Sequence, residues 1–337
     1  MKRILVVNVN WMGDVLFSTP AIRALRKKFP EAHIACMVPP RCADLLANNP
    51  YLNEIIVYRG EDSLLSLFQF LRAARELRRR RFDTVIFFHR SKTKAFLARL
   101  AGIPERVGYA TPHNRLLTRA IPLPRAGLHR TDIFLNLIQS LEIPADGRTP
   151  DFFPKKEAGR ELAALLEACG VASGAPYAVV HAGGNWDLKR WPAGFFAEWI
   201  RLFLKEYPWK ILLCGTKPEE PLVREIQSHL SGDRVVSVCG QTSVDTLALL
   251  LRGAQFLLSN DSGPLHLAAS QRTKILGLFG PTAPAETGPF SEGEALILHK
   301  DVGCEIPCYF RSCNTRVCMD WLTPQEVFAK TKELLAA

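Results

Sequence analysis

The stretch VNWMGDVL, residues 9–16, decides the fold of the chain because it joins a strand pattern to a helix pattern. The apolar run Ile4–Val7 predicts a buried strand, and the spacing over Leu16–Lys28 predicts a helix. A turn of this kind aims free backbone N–H groups at a ligand. Phosphate-binding turns are richer in glycine, whereas here Asp14 follows Gly13 at the helix mouth. The stretch therefore predicts a ligand site in which a carboxylate takes part.

The first 150 residues continue this alternation of strands and helices. Further strands are predicted at His33–Val38, Ile55–Tyr58 and Thr84–His89, with helices at Cys42–Asn48 and Leu64–Arg80. The strand runs are apolar throughout, as in strands that helices cover on both faces. The pattern therefore predicts an α/β fold with a parallel, doubly wound sheet.

A second α/β unit follows a proline-rich linker. Three prolines and a glycine between residues 143 and 156 disfavour both a helix and a central strand. A helix is predicted at Lys156–Cys169, and strands at Tyr177–His181, Lys210–Cys214, Val235–Val238, Phe256–Ser259 and Lys274–Phe279. We therefore expect an N-terminal domain at residues 1–153 and a C-terminal domain at residues 154–322.

Positive charge is concentrated in the first half of the chain. Residues 1–150 contain 24 lysines and arginines against 12 acidic residues, a net charge of +12, whereas residues 151–337 carry −2. Such a domain favours an anionic partner: nucleic acid, a membrane surface or a phosphorylated substrate. Neither a membrane span nor a signal peptide is predicted, and nine scattered cysteines are typical of a reducing compartment.

Two basic groups are candidates for holding that partner. Arg90, Lys92 and Lys94 directly follow the fourth predicted strand, and doubly wound sheets bind ligands beyond the carboxyl ends of their strands. Arg115 and Arg119 follow a turn at residues 108–109. The four arginines at residues 78–81 are better explained as the solvated end of a helix.

The first informative loop of the second half runs from His181 to Pro192 and follows a predicted strand. Gly183 and Gly184 would let a ligand approach the backbone, and Lys189 supplies a charge suited to phosphate. The alternative is an ordinary surface loop with a solvated lysine.

The second loop, residues 214–220, contains Thr216 and Glu219. A glutamate near a strand end can accept hydrogen bonds from ribose hydroxyls. Acidic residues are equally favoured in the first turn of the following helix, so both explanations stay open.

The third loop, residues 260–269, leads from a strand into a helix. Ser262 and Gly263 lie at the helix mouth, where free N–H groups suit a diphosphate. Asp261 should face a neutral group such as a sugar hydroxyl, because a carboxylate meets phosphate only through a cation. His266, one turn into the helix, is either a ligand contact or a core residue.

Taken in order, these motifs resemble a known family over nearly the whole chain. They are GDVL at residues 13–16, TPA at 19–21, HA at 181–182, KRWP at 189–192, NDSGP at 260–264 with His266, and GLFGPT at 277–282. The set resembles the ADP-heptose:lipopolysaccharide heptosyltransferases of glycosyltransferase family 9. STPA at residues 18–21 and the late cysteines look most like the heptosyltransferase II branch.

The resemblance implies a GT-B fold, in which two Rossmann-like domains face each other across a cleft. It implies that the C-terminal domain binds ADP-heptose, the donor substrate, and that no cofactor or metal is needed. The N-terminal domain would bind the Kdo- or heptose-bearing lipid A of the lipopolysaccharide inner core. The basic residues then serve this acceptor rather than nucleic acid, in the cytoplasm at the inner face of the inner membrane.

The resemblance also implies roles for individual residues. Asp14, beside Gly13, matches the catalytic base of an inverting transfer, and Lys189 matches the phosphate-binding lysine. Asp261 matches the heptose-binding aspartate, and Ser262 lies beside the diphosphate. An aspartate at this position could instead be the N-cap of a helix.

The end of the chain yields two further expectations. Thr323, three residues before Glu326, predicts the start of a final helix, and in GT-B enzymes such a tail crosses back to the first domain. Residues 323–337 are therefore expected to pack on the N-terminal domain. The cysteines just before this helix could bind zinc, form disulfides or remain free thiols: Cys304, Cys308, Cys313 and Cys318.

Three other activities are alternatives to the one that this resemblance implies. A GT-B-like nucleotide-sugar 2-epimerase would leave the basic first domain without a purpose. An NAD-dependent dehydrogenase is disfavoured because the first loop lacks G-x-G-x-x-G and its later acidic residue. A heptosyltransferase acting on protein would have the same donor site and differ only in its acceptor.

Overall fold

The computed structural model shows two compact units, Met1–Phe153 and Pro154–Ala337. The structure describes residues 1–60, 67–112, 114–310 and 312–336. No helix within those ranges is both long and apolar enough to cross a bilayer.

The first unit alternates strands and helices. Its strands are β1 Arg3–Val7, β2 His33–Val38, β3 Glu54–Val57, β4 Thr84–Phe87, β5 Glu105–Tyr109 and β6 Arg119–Ile121. Its helices are α1 Met12–Lys28, α2 Leu67–Arg79, α3 Lys92–Leu100 and α4 Arg130–Gln139.

The second unit repeats this alternation with more helices. Its strands are β7 Tyr177–His181, β8 Lys210–Cys214, β9 Val235–Ser237, β10 Leu257–Asn260, β11 Ile275–Phe279 and β12 Ala295–His299. Its helices are α5 Ala158–Ala168, α6 Ala193–Glu206, α7 Glu220–Ser228, α8 Val244–Gly253, α9 Gly263–Ser270, α10 Pro284–Thr287, α11 Val317–Asp320 and α12 Pro324–Ala336.

Both sheets are parallel and share one topology. Their strand orders are β3-β2-β1-β4-β5-β6 and β12-β11-β10-β7-β8-β9. Counted from the first strand of each unit, both are the 3-2-1-4-5-6 order of the doubly wound fold. The central strands are buried on both faces; Ile4 to Val7, for example, are fully buried. The predicted α/β class is therefore confirmed.

Helix boundaries were predicted less well than strands. Helix α1 begins at Met12, four residues before the predicted start at Leu16. The predicted helix Cys42–Asn48 is wrong, because the chain there forms a short 3₁₀ turn, Pro40–Cys42, followed by further i→i+3 bonds such as Leu46 N to Ala43 O. The predicted start of the next helix, Leu64, lies outside the described residues.

Helix α1 tolerates a proline in its middle because a neighbouring side chain compensates for it. Pro20 has no N–H to give to the carbonyl of Leu16, four residues earlier. The Thr19 hydroxyl donates to that carbonyl oxygen instead, at 2.7 Å, inside the core. The backbone N–H of Asp151 donates to the same hydroxyl at 2.7 Å, which ties α1 to the end of the first unit.

The final helix packs on the second unit. Helix α12 packs against α6, β11 and β12 of the second unit, and the Trp199 indole donates to the Thr331 hydroxyl at 3.0 Å. The packing of residues 323–337 on the N-terminal domain stays a prediction. The start of the helix is as predicted, because the Thr323 hydroxyl accepts from the Glu326 N–H at 3.3 Å.

Candidate functional site

The candidate residues lie beyond the carboxyl ends of the strands, where a doubly wound sheet opens between its first and fourth strands. In the first unit this position lies between β1 and β4, and in the second between β7 and β10. Helices leave these two strands toward opposite faces of the sheet, so a crevice forms that suits a ligand.

In the second unit, an ion pair joins two of the predicted loops. The ammonium of Lys189 lies 2.8 Å from Asp261 Oδ2, and His266 Nε2 lies 3.6 Å from Asp261 Oδ1. Burial alone would raise the pKa of Asp261, but the contact with His266 and the charge of Lys189 outweigh it and lower that pKa. Asp261 is therefore a buried anion with protein groups at both of its oxygens.

Lys189 keeps capacity for a ligand despite this pair. Its side chain is 18% exposed, against 4% for that of Asp261. An ammonium has three N–H donors, and the hydrogen bond to Asp261 uses one of them. The ion pair thus fixes the position of the Lys189 ammonium, whose other N–H donors can bind a phosphate.

Glu219 joins the second loop to the first and is held by protein donors. Its Oε1 accepts from the Gly184 N–H at 3.0 Å, and its Oε2 accepts from the Thr216 N–H at 2.7 Å and the Thr216 hydroxyl at 2.8 Å. Thr216 and Glu219 form a capping box around the turn Lys217–Glu219. This geometry supports the capping explanation, so a ribose hydroxyl would have to share these oxygens.

Gly183 makes room for that glutamate. A Cβ placed on Gly183 would overlap Glu219 Oε1, whereas a Cβ on Gly184 would meet nothing closer than Arg190 Cγ at 3.8 Å. The first glycine of the loop therefore serves contact between two loops of the protein.

His181, the last residue of β7, contacts the second and third loops, and the sequence did not predict it as a site residue. It is 3% exposed; its Nε2 lies 3.5 Å from Glu219 Oε1, and its Nδ1 lies 3.0 Å from Ser262 Oγ. Burial alone would raise the pKa of Glu219, but His181 and the Thr216 donors lower it to about 2. A histidine at the end of an otherwise apolar strand is the signal that could have identified it.

The mouth of α9 is shaped by Ser262 and by a buried asparagine. Ser262 occupies the cap position without making a side-chain cap bond, since its hydroxyl contacts His181 and Ser259 instead. Asn260 donates to the carbonyl oxygens of Ala182 and Gly183 at 2.7 and 3.1 Å. The Gly263 N–H at the start of α9 can serve an anion, whereas Pro264 has no N–H and the Leu265 N–H donates to the Ser262 carbonyl oxygen at 3.2 Å.

In the first unit, Asp14 lies in the first turn of α1 and is half-buried. Trp11 occupies the cap position, so Asp14 is not the N-cap residue that the sequence allowed. The nearby Asn10 is held by a residue of the turn Pro40–Cys42 and a residue of α3. Its carbonyl oxygen accepts from Arg41 Nε at 2.7 Å, and its Oδ1 accepts from Lys94 Nζ at 3.2 Å. Lys94 is thus a buried support of the loop that carries Asp14.

A cavity of about 370 Å³ opens at the carboxyl ends of β4 and β5. Arg90 and Lys92 line it, both exposed, together with apolar walls such as Phe87, Tyr109 and Leu123. The structure therefore brings two of the predicted basic residues to a concave site.

The remaining basic candidates lie elsewhere. Arg119 begins β6 and donates to the carbonyl oxygen of Ser140, just after α4. Arg115 is exposed in the turn before β6 and does not line the cavity. The structure brings neither residue to the site predicted from sequence.

The four late cysteines are free thiols. Cys318 and Met319 pack where Gly280 leaves space, and the Cys308 N–H donates to the Pro281 carbonyl oxygen at 2.7 Å. Among the residues that the structure describes, no three His, Cys, Asp or Glu side chains are arranged to hold a metal ion.

Solved structures that match over nearly the whole chain define its fold class. The structure of Escherichia coli ADP-heptose LPS heptosyltransferase II matches with a TM-score of 0.81 and 24% identity, covering 100% of this chain and 99% of that one. A glycosyltransferase family 9 structure from Veillonella parvula matches with a TM-score of 0.88 and 23% identity, covering 99% and 97%. The fold class is therefore the GT-B class of the heptosyltransferases.

The sequence comparisons give the family. Lipopolysaccharide heptosyltransferase 2 of Escherichia coli is 25% identical over 305 residues, which are 88% of this chain and 87% of that protein. The model of glycosyltransferase family 9 (heptosyltransferase) matches residues 70–314. The chain belongs to this family, so it is a glycosyltransferase, and the epimerase and dehydrogenase alternatives are set aside.

Proposed function

We propose that this protein transfers heptose from ADP-heptose to the inner core of lipopolysaccharide, as the names of its relatives suggest for them. The donor site is the crevice between β7 and β10. The observation that carries this assignment is the fixed cation Lys189 beside the mouth of α9, because a nucleoside diphosphate needs both a charge and N–H donors.

The acceptor site is the crevice of the first unit. Arg90 and Lys92 at the cavity supply positive charge for the acidic sugars and phosphates of an inner core, and the apolar walls fit sugar-ring faces. A Kdo- or heptose-bearing lipid A is thus the proposed acceptor. Such an acceptor is membrane-borne, so the enzyme would work in the cytoplasm, peripheral to the inner face of the inner membrane.

The proposed reaction is a single displacement with inversion. The carboxylate of Asp14 takes the proton of the acceptor hydroxyl, the oxygen forms a bond to the anomeric carbon of heptose, and the bond from that carbon to the phosphate oxygen breaks. ADP leaves with the electron pair. Lys189 and the Gly263 N–H at the start of α9 stabilise its growing negative charge, which is the task that a metal performs elsewhere.

Selectivity for the donor can be tested by thermal unfolding with ADP, UDP, GDP and NAD. A ligand that binds only the folded protein raises its Tm, and at equal concentration the tighter ligand raises it more, so ADP should give the largest rise. A larger rise with UDP or NAD would contradict the proposed donor.

The acceptor is tested by incubation with ADP-heptose and either Kdo-lipid A, heptosyl-Kdo-lipid A or a protein mixture. Heptose is expected on a lipid acceptor, and on the heptosyl-bearing one if the enzyme acts like its heptosyltransferase 2 relatives. Transfer to protein with none to lipid would contradict the proposal and favour a protein heptosyltransferase.

A further inference from the structure

Helices α2 and α3 lie side by side on the first unit. The rings of Phe70 and Phe96 stack across them, with centroids 5.8 Å apart and planes inclined by 13°. Their inner sides belong to the hydrophobic core, where Leu77 and Leu97 are buried. The orientation of both helices is thereby fixed, and the helical period decides which residues point outward.

The outward side of each helix is a stripe of arginine and large apolar residues. On α2, Phe68, Arg72, Arg75 and Arg79 follow one another at spacings of four, three and four residues, and all are exposed. Phe68 is 69% exposed. Single exposed apolar residues are common, but Phe68 lies on the same side of the helix as three exposed arginines.

Helix α3 continues the same chemistry. Lys92, Phe96 and Arg99 are spaced by four and three residues and are exposed, and Leu100 lies beside them. Phe96 is 49% exposed and Leu100 41%. We call Phe68, Arg72, Arg75, Arg79, Phe96 and Leu100 the outer face of α2 and α3.

The charge of this outer face is one-sided. Helix α3 contains no acidic residue, and the one acidic residue of α2, Glu76, pairs with Arg80 at 3.1 Å. Exposed arginines flanked by exposed apolar side chains suit the interface of an anionic membrane, where charge attraction and buried apolar area both add to binding. There the apolar groups enter the acyl boundary while the guanidinium groups meet lipid phosphates.

The outer face also adjoins the proposed acceptor site. Lys92 and Ala95 of α3 line the cavity at the ends of β4 and β5, and Phe96 follows Ala95 directly. A bilayer in contact with this face would therefore present its head groups near the cavity. This continuity favours a lipid surface over nucleic acid, for which the cavity would have no role.

We propose that the outer face of α2 and α3 docks the enzyme on a bilayer that contains anionic phospholipid. The inference rests on the proposed function in one respect, namely that the acceptor is membrane-borne. Vesicle binding is measured without donor or acceptor, so failure of docking and failure of heptose transfer are separate results.

The test is co-sedimentation of the full chain with vesicles of phosphatidylcholine alone or mixed with phosphatidylglycerol, at low and high salt. Binding is expected only to the anionic vesicles and should weaken with salt. The triple variant Arg72→Gln, Arg75→Gln, Arg79→Gln should bind about 100-fold more weakly, since each charge near such a surface contributes about fivefold. Phe68→Ser should weaken binding about tenfold.

Matched controls come from exposed residues of the second unit. Tyr309 is 70% exposed, and the side chain of Arg224 is 73% exposed. Tyr309→Ser and Arg224→Gln should bind vesicles as the unaltered protein does. Every variant should transfer heptose to a deacylated, water-soluble acceptor at the unaltered rate, which shows that it folds.

Three results would overturn the proposal. One is equal binding to neutral and anionic vesicles, and another is unchanged vesicle binding by the triple variant. The third is tighter binding to double-stranded nucleic acid than to anionic vesicles, which would identify a different partner for the same face.

Discussion

The crevices of the two units share one topology but differ in how their side chains are held. Between β7 and β10, Asp261 lies between Lys189 and His266, and Glu219 lies between His181 and Thr216. Between β1 and β4, Asp14 is half-buried in the first turn of α1, and its loop is supported through Asn10. One crevice is built around buried charges, and the other around a carboxylate nearer to solvent.

The difference follows from what each crevice is proposed to do. A diphosphate leaving group is stabilised best by charges and N–H groups that are fixed before the reaction begins. A general base must instead reach a hydroxyl and exchange a proton, so it needs access more than burial. On this proposal, the same topology supplies a donor crevice with buried charges and a more open acceptor crevice.

The largest effect is expected from Asp14→Asn. The amide keeps the shape of the side chain but cannot accept a proton, so the transfer rate should fall by about 10²–10⁴-fold. Calorimetry should show ADP binding unchanged, because the proposed ADP site belongs to the other unit. A fully active Asp14→Asn protein would refute the assignment of the base.

The next effect concerns the loop contact in the second unit. In Gly183→Ala the new Cβ would displace the Glu219 carboxylate, and overpacking of this kind costs about 1–3 kcal/mol of unfolding free energy. Gly184→Ala is the matched control, since its Cβ has space and the change should cost nothing or stabilise by up to about 1 kcal/mol. Equal unfolding free energies for the two variants in urea denaturation would show that the loop does not depend on this contact.

An effect of similar size is expected from the pH dependence of stability. The pKa of Glu219 is lowered from 4.5 to about 2 in the folded protein. Its stabilising contribution is therefore complete above about pH 4.5 and is lost as the pH falls toward 2, by about 2–3 kcal/mol at most. Glu219→Gln should remove this part of the acid dependence, which paired denaturation curves across the range would measure. If the unfolding free energies of the unaltered protein and of Glu219→Gln fell equally with pH, that result would contradict the lowered pKa of Glu219.

The smallest effect, none, is expected from EDTA. If Lys189 and the mouth of α9 stabilise the leaving group, the transfer rate should not change when divalent cations are removed. The rate is measured with and without EDTA, with Mg²⁺ or Mn²⁺ added back. Inhibition that the added metal reverses would show that the donor side is incomplete without an ion.

Much of the fold was predictable because it depends on local patterns. Apolar runs identified the strands, and β2, β7 and β8 have the predicted bounds. Helix ends were less predictable, since α1 begins within the turn that contains Gly13. The segment after Pro40 was misassigned because a short apolar run fits either a helix or a series of turns.

The candidate site was predictable in its residues but not in its contacts. Lys189 and Asp261 were both identified, but each was expected to face a ligand, whereas the structure pairs them. His181 was missed because a histidine at the end of a strand has no fixed partner in the sequence. Arg119 was assigned to the site although β6 begins with it and it bonds to the end of α4.

The sequence by itself determined the alternation of strands and helices, the loops that carry polar residues and the basic charge of the first half. All of these depend on residues close together in the chain. Only the tertiary structure decided that α12 packs on α6, that Lys189 meets Asp261, 72 residues away, and that Lys94 supports the loop of Asp14. The physical reason is that these contacts depend on the order of the strands in each sheet, and no periodic pattern in the sequence encodes that order.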